Sequence, residues 1–359
     1  MNQEPTDTRN LSGGLPIDSA RLHRTKVVSL SLIATILLGA ILFSWVVFGA
    51  RHARVDSEQV VNPPPPVEVA WKNVDAHLTD RKIKRRSGGM LPSPIVATLT
   101  SNVRGHFSVY IEDLKTGMWW GIGEKEAYNA WSLLKVSTLV ALLKKVEREQ
   151  ISLDEGIVLT PDELKYESSF VTNNTGMGSF RSFSIKELAE RMIEDSDDAA
   201  AMALCKKLTF EEFQDSFRAM SMPLATPPNV LPLVSPEQYA NLLRSLYRAD
   251  YLDRALCDVA LSLMSNTVFT DQIKAGLPRD IQLAHKVGFN AGTGDSHDCG
   301  IVFLPNRPYL ICVMSTGTTK EEADRVVKTL SSQVYEFMDH GMPVVLNHVN
   351  GSADQQLKN

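Results

Sequence analysis

Cysteine is scarce in this 359-residue chain, and the cysteines present have none of the spacings of a metal site. The four are Cys205, Cys257, Cys299 and Cys312, with no C-x-x-C pair and no closely spaced histidine partner. A structural zinc site is therefore not expected. Cys299 and Cys312 fall on two adjacent predicted strands. We favour two small buried side chains there over a disulfide.

An excess of positive charge is also missing. The chain has 37 Lys and Arg against 42 Asp and Glu, for a net charge of −5. Nucleic-acid binding normally needs a basic surface, so no nucleic-acid partner is predicted. No residue pattern indicates a metal or another cofactor. With 43% hydrophobic and 22% charged residues, the composition is that of a globular protein.

Charged residues are absent from one long apolar stretch, residues 27–50. About 20 apolar residues span a bilayer, so this stretch predicts a transmembrane helix. A cleaved signal peptide is the alternative, but the run is long and no A-x-A-like site follows it before Arg51. Four cationic residues precede the stretch: Arg9, Arg21, Arg24 and Lys26. Two, Arg51 and Arg54, follow it closely. We therefore expect a cytoplasmic N-terminus and an extracytoplasmic domain, in the periplasm or at the cell surface.

The remaining segments follow from composition. Residues 1–26 read as a disordered cytoplasmic tail and residues 346–359 as a second polar tail. Residues 51–90 read as a linker, with a stiff proline run at Pro63–Pro66. A basic cluster at residues 82–86 is either solvated or in contact with anionic lipid or cell-wall polymer. Residues 91–345 are then the folded domain.

Within that domain, strand patterns occur at both ends and helix patterns in the middle. Alternating apolar residues predict two strands near residues 107–122 and three near 283–315. Between them, Ser184 with Glu187 forms a capping box, and Ser235-Pro236 starts a further helix. The predicted fold is α/β (α+β): a five-stranded antiparallel sheet flanked by helices, with an inserted all-helical lobe.

The tetrapeptide from Ser132 to Lys135 stands where a strand-rich segment gives way to an apolar helix. Residues three apart are neighbours on a helix, so Lys135 would lie one turn after Ser132. A neutral lysine can take the serine proton, and backbone N–H groups at the helix start could hold an oxyanion. The alternative is that Ser132 is only an N-cap and Lys135 a solvated helix residue.

Two further stretches favour the catalytic interpretation. Ser196-Asp197-Asp198 begins a helix of the lobe, and Lys286-Val287-Gly288 lies on the first C-terminal strand. With S-x-x-K they occur in the order S-x-x-K, S-D-x, K-x-G, which marks penicillin-recognising serine acyl enzymes. From about residue 104 to 340 the chain resembles the class A β-lactamase family, and particularly its β-lactamase-like serine hydrolase branch.

The resemblance implies roles for individual residues. Ser132 matches the acylated nucleophile, and Lys135 the lysine that helps to deprotonate it. Ser196 matches the hydroxyl that relays a proton towards the leaving nitrogen. Lys286 matches a strand lysine that adds positive potential and hydrogen-bonds that hydroxyl. Two backbone N–H groups would form the oxyanion hole, one of Ser132 and one beyond Gly288, near Asn290.

The departures from the family pattern affect substrate binding and the second half of the reaction. Asp198 replaces the usual Asn and, when ionised, cannot donate a hydrogen bond to a substrate. Val287 replaces a Ser or Thr whose hydroxyl grips a substrate carboxylate. Residues 224–234, where class A enzymes carry the deacylating glutamate, contain no acidic residue. Asp198, Val287, Gly288 and Asn290 are thus the expected substrate-binding positions.

The sequence therefore predicts a membrane-anchored serine hydrolase with a Ser acyl-enzyme. The resemblance implies an amide substrate, either a β-lactam or a D-alanyl peptide of the cell wall. Turnover of β-lactams should be weak without the glutamate. The alternatives are a catalytically degenerate sensor or binding module and a purely structural tethered domain. His285 and His297 are interpreted as structural residues rather than members of a His-based triad.

Overall fold

The computed structural model describes residues 84–101, 103–159, 181–224 and 232–340. The predicted tails, the predicted membrane span at residues 27–50 and nearly all of the linker lie outside these ranges. None of the helices within them is both long and apolar enough to cross a bilayer.

A single mixed sheet forms the centre of the domain. Its strand order is β1-β3-β2-β10-β9-β8. The strands are β1 (Arg86–Ser87), β2 (His106–Asp113), β3 (Met118–Ile122), β8 (Leu283–Asn290), β9 (Asp295–Val302) and β10 (Tyr309–Thr316). Five of them pair antiparallel, as predicted, while the two-residue β1 adds a sixth strand parallel to β3. The linker therefore contributes to the sheet, which its basic composition did not indicate.

Helices cover both faces of the sheet. They are α1 (Ser93–Thr100), α2 (Leu134–Glu147), α3 (Ile185–Glu194), α4 (Asp198–Cys205), α5 (Phe210–Ala219), α6 (Pro236–Arg248), α7 (Arg254–Ser265) and α8 (Lys320–His340). The first and last pack on one face, around an apolar cluster that includes Val109, Val313 and Val327. The other face packs against the helical lobe, whose buried centre is the apolar first half of α2. The predicted inserted lobe is thus present.

Helix starts follow the local signals in the sequence. Ser184 and Glu187 make a reciprocal capping box for α3. Ser235 caps α6 together with Gln238, and Pro236 occupies its first position. Each cap satisfies backbone N–H groups that the helix itself leaves unpaired. By contrast, the predicted helix start at Ser196 is wrong by two residues, because Asp197 is the cap of α4.

Short strands also occur where the sequence indicated loops. β5 (Gly156–Leu159) pairs with β6 (Arg181–Ser184), between the two groups of predicted strands. β4 (Tyr128–Asn129) pairs with β7 (Leu233–Val234). β4 ends directly before the turn that carries Ser132.

Cys299 and Cys312 form a disulfide. The preference for two separate thiols was wrong, because the register of β9 and β10 sets the two residues directly opposite each other. Cys299 also lies directly opposite Lys286 on β8. The disulfide therefore crosses the sheet next to a candidate site residue. Cys205 and Cys257 are free thiols.

Candidate active site

Ser132 lies in a 3-10 turn, Trp131–Leu133, just ahead of α2. The alternative in which Ser132 is only the N-cap of this helix is wrong, because Leu133 occupies the N-cap position. Trp131 has a left-handed backbone, with φ of 48°, a conformation that costs energy for a residue with a side chain. Two contacts hold the turn: Trp131 Nε1 donates to Asp295 Oδ2 at 2.7 Å, and the Tyr239 hydroxyl donates to the Leu133 carbonyl at 3.1 Å. The strain at Trp131 is thereby compensated by contacts from β9 and α6.

Gly288 allows β8 to approach this turn. A Cβ at this position would lie 2.9 Å from the Ala130 carbonyl oxygen and 3.3 Å from Leu133 Cγ. A side chain there would push the strand away from Ser132. The glycine of K-x-G is therefore required for the close packing of β8 against the Ser132 turn.

Lys135 is nearly buried, and its ammonium group contacts the S-D-x segment. Nζ donates to the Ser196 carbonyl, to Ser196 Oγ at 3.2 Å and to Asp198 Oδ1 at 2.6 Å. An ammonium has three protons and no acceptor. All three are used here, and no hydrogen bond joins Nζ to Ser132 Oγ in the part of the chain that the structure covers. The predicted pairing of Lys135 with Ser132 is therefore not formed in this state.

Ser196 is presented by a strained turn between α3 and α4. Its φ is 59°, again in the left-handed region. Asp197, the next residue, is buried and accepts from Ala200 N at 2.9 Å as the cap of α4. Burial raises the pKa of the Asp197 carboxyl, against the opposing effect of that hydrogen bond. The turn directs the hydroxyl of Ser196 towards Lys135.

Lys286 is fully buried and has no hydrogen-bond partner among the residues described. Its Nζ lies 5.3 Å from the centroid of the Phe269 ring. Burial, and secondarily the charge of Lys135, lowers the pKa of Lys286 well below its ordinary value. The predicted hydrogen bond to Ser196 is absent. Lys135 nevertheless lies near enough to Lys286 to contribute to this lowering.

The register of β8 identifies a candidate oxyanion donor. Phe303 N donates to the Gln282 carbonyl, so this opposite pair is hydrogen-bonded. Such pairs alternate along an antiparallel ladder. The backbone groups of Gly288 and Asn290 therefore face β9, while the N–H of Phe289 faces away from it. Phe289 lies between Gly288 and Asn290, within the predicted position, and the register selects it as the candidate donor.

Asn290 itself has a structural role in the β8–β9 hairpin. Its side-chain oxygen accepts from Gly292 N at 2.8 Å and from Thr293 N at 3.2 Å. Val287, on the opposite face of the strand from Lys286, offers no polar atom. Of the predicted substrate-binding positions, Asp198 and Gly288 thus border the site most directly.

The two histidines are structural, as predicted. His285 Nδ1 contacts Asp298 Oδ1 at 2.7 Å on the sheet face opposite the helical lobe. His297 accepts from Ser315 N at Nδ1, so its Nε2 carries the proton that is donated to the Asn129 carbonyl. Burial lowers the pKa of His297, in keeping with a neutral ring.

The acidic residues closest in sequence to the missing glutamate have other partners. Glu212 belongs to the capping box of α5 and pairs with Lys145 at 2.8 Å. Glu237 pairs with Arg85 at 3.0 Å. Residues 225–231 lie outside the described ranges, and their sequence contains no acid. No other carboxylate in the described site takes the place of a deacylating base.

Sequence reasoning did not anticipate three contributors to the site. Asp295 contacts Trp131, and Phe269 contacts Lys286. Nothing in the local sequence signals either contact. Phe289 could have been found only with the ladder register. Among the residues that the structure covers, no three His, Cys, Asp or Glu side chains are grouped to hold a metal ion.

Comparison with known proteins agrees with this arrangement. Residues 93–338 match the model of the beta-lactamase enzyme family. Beta-lactamase SME-1 of Serratia marcescens is 20% identical over 262 residues, covering 68% of this chain and 88% of that protein. A beta-lactamase of Streptomyces albus G is 26% identical over 237 residues, covering 60% and 74%.

Solved structures show the same fold. PBP-A superposes with a TM-score of 0.61 at 23% identity, covering 70% of this chain and 97% of PBP-A. A PBP-A variant captured as an acyl-enzyme complex with penicillin G gives the same values. An ancestral class A beta-lactamase has a TM-score of 0.59 at 23% identity, covering 67% and 97%. With the family model matching more than two thirds of its length and the three ordered motifs converging on one site, the chain belongs to the beta-lactamase enzyme family.

Proposed function

We propose that this protein is a membrane-anchored serine acyl-transfer hydrolase that forms an acyl-enzyme on Ser132. The observation that carries the proposal is the convergence of the Ser132 turn, the Lys135–Ser196 contact and β8 on one place. The proposed substrates are amides, either β-lactams or D-alanyl cell-wall peptides, which are the classes that the family resemblance implies.

In the proposed reaction, Ser132 Oγ bonds to the substrate carbonyl carbon while its proton passes to neutral Lys135. The N–H groups of Ser132 and Phe289 stabilise the oxyanion. The C–N bond then breaks, and the proton reaches the leaving nitrogen through Ser196. Water must later release the acyl group. Since no acidic residue stands where class A enzymes place theirs, that step is slow and β-lactam turnover is weak.

Lys135 must first lose a proton and break one of its three hydrogen bonds. The contact with Asp198 opposes this rearrangement, because the charge-assisted hydrogen bond at 2.6 Å holds Nζ in place. The resting geometry is therefore not yet that of a general base. In apo enzymes such hydrogen bonds often tighten only when substrate binds.

The same observation favours a second candidate function. A site whose lysine is held by Asp198 and whose deacylating residue is absent would suit a penicillin-binding-like sensor that captures a ligand without turning it over. Retention of Ser132, Lys135, Ser196 and Lys286 favours the enzyme, and so we place it first.

The proposed location is the outer side of a cell membrane, with residues 27–50 as the anchor. The Cys299–Cys312 disulfide supports this proposal, since disulfides persist mainly in oxidising compartments. Fractionation followed by protease treatment of intact cells, or of spheroplasts, would place the domain. Protection of the domain from protease in spheroplasts would contradict the proposed orientation.

Labelling with a fluorescent fluorophosphonate tests the enzymatic proposal. We expect labelling of the wild type, loss in Ser132→Ala and a strong decrease in Lys135→Ala. Ser137→Ala is the matched control, because Ser137 lies on the same helix, is fully buried and contacts Met222 rather than the site. Equal labelling of wild type and Ser132→Ala would exclude Ser132 as the nucleophile.

A further inference from the structure

Asp198 places a carboxylate, partly open to solvent, beside Lys135 and Ser196. Its Oδ1 is engaged by Lys135, and 28% of its side chain is exposed. Within the described ranges, Oδ2 accepts no hydrogen bond. An ionised carboxylate only accepts hydrogen bonds. A ligand group that meets Asp198 must therefore donate a hydrogen bond or carry positive charge.

The groups that would hold a substrate carboxylate are weak in this site. Lys286 is fully buried beside the Phe269 ring, and this burial lowers the pKa of its amine well below the ordinary value. Val287 has no hydroxyl. All three protons of Lys135 are engaged and its side chain is nearly buried, whereas Asp198 keeps Oδ2 unengaged and partly exposed. Neither lysine of the described site therefore presents an exposed, unengaged cation to an anion.

We infer that the site takes acyl donors with a positive charge, rather than a carboxylate, next to the scissile bond, and that Asp198 determines this specificity. The inference rests on the proposed acyl-transfer function and narrows it. The amides expected as substrates are those whose neighbouring carboxylate is absent or neutralised and whose leaving part bears an amine. Binding of such a cation would also draw Asp198 away from Lys135, which eases the loss of the lysine proton.

Three thioesters of benzoylglycine test the inference, with thioglycolate, 2-mercaptoethanol and thiocholine as leaving thiols. All three give the same acyl-enzyme, so deacylation is common to them and first-turnover thiol release measures acylation alone. In each case the C–S bond breaks as Ser132 Oγ takes the acyl group and the thiol leaves. Each acylation rate constant is expressed relative to that of the same ester with hydroxylamine, because the three thiols differ in acidity as leaving groups. We expect this relative rate constant to be largest for thiocholine and smallest for thioglycolate, at least about tenfold apart.

Asp198→Asn is the informative variant, because its amide oxygen can still accept from Lys135 while the charge is lost. We expect the three rate constants to converge to within about threefold. Asp258→Asn removes the same charge from an exposed position on α7 and should leave the order unchanged. The acylation rate constants are compared as ratios between the three esters. A substitution that changes the reactivity of Ser132 towards all three equally therefore does not affect the comparison.

Two results would overturn the inference. Fastest reaction of the thioglycolate ester with the wild type is one, and an unaltered order in Asp198→Asn is the other. If fluorophosphonate still labels Ser132 in these cases, only the inference fails. Absence of both labelling and Ser132-dependent thiol release would remove the proposed function, and the inference with it.

Discussion

Lys286→Met should stabilise the protein. The wild-type side-chain amine has no hydrogen-bond partner among the described residues and no exposed surface. A buried, unsatisfied polar group costs about 1–3 kcal/mol, and methionine has a similar shape without that cost. For a domain of this size, the gain corresponds to a rise of about 2–12 °C in the melting temperature.

The stability gain should depend on pH. The pKa of Lys286 is lowered in the folded protein, so between that value and 10.5 the unfolded state binds one more proton. Folded wild type is therefore penalised in this window, and the penalty shrinks as pH rises towards 10.5. The difference in melting temperature between Lys286→Met and wild type should be largest at neutral pH and narrow by pH 10.

Differential scanning calorimetry from pH 7 to 10 measures both effects. Lys145→Met is the control, since Lys145 donates to the Lys207 carbonyl at 3.0 Å and pairs with Glu212. Replacing that partnered lysine should destabilise the protein. Lower stability of Lys286→Met at pH 7, or a gain that does not change with pH, would refute the reasoning.

The remaining predictions concern packing. Cys299→Ala with Cys312→Ala should cost about 3 kcal/mol, or about 6–12 °C by calorimetry, because the bond closes a loop with a sequence separation of 13; an unchanged melting temperature would contradict this. Gly288→Ala should reduce fluorophosphonate labelling while circular dichroism stays native, because its Cβ meets a carbonyl at 2.9 Å; full labelling would contradict the packing argument. Arg244→Met removes the two-pronged partner of the buried Glu112 and leaves it with the Tyr110 hydroxyl at 2.6 Å and Arg85 at 3.7 Å, so it should cost about 3 kcal/mol in urea unfolding. In the double variant, Glu112→Gln should recover part of the free energy of unfolding that Arg244→Met loses. If the costs of the two substitutions simply add, Arg244 and Glu112 are not energetically coupled.

The sequence was sufficient wherever the signal is local. Capping boxes at Ser184 and Ser235 depend on residues three apart, and both are formed. The apolar run after Ser132 predicted a central helix because its residues leave no polar face in the first turns. The antiparallel strands at both ends of the domain followed from alternation and turn residues.

Features that depend on contacts between distant segments were not predictable. The disulfide requires that β9 and β10 align with Cys299 opposite Cys312, and alternation alone does not set register. Trp131 is held in its left-handed conformation by Asp295, which is 164 residues away. Phe289 emerged as an oxyanion donor only once the hydrogen-bonded pairs of β8 were known.

The candidate site shows both kinds of result. The resemblance pointed to Ser132, Lys135, Ser196 and Lys286, and the fold brings their segments together. It implied that Lys135 contacts Ser132 and that Lys286 contacts Ser196, and neither contact is present. Asp198 accounts for the first difference by taking a hydrogen bond of Lys135. Lys286 Nζ instead lies 5.3 Å from the centroid of the Phe269 ring and has no hydrogen-bond partner among the described residues.

Intact-mass spectrometry of the protein with a labelled β-lactam tests the central claim most directly. The account predicts one adduct, located on Ser132 by peptide mapping, that forms slowly and persists for hours after excess ligand is removed. It should be absent in Ser132→Ala. No adduct over a range of pH would argue for a degenerate site, and an adduct that decays at a rate typical of a working β-lactamase would contradict the missing deacylation step.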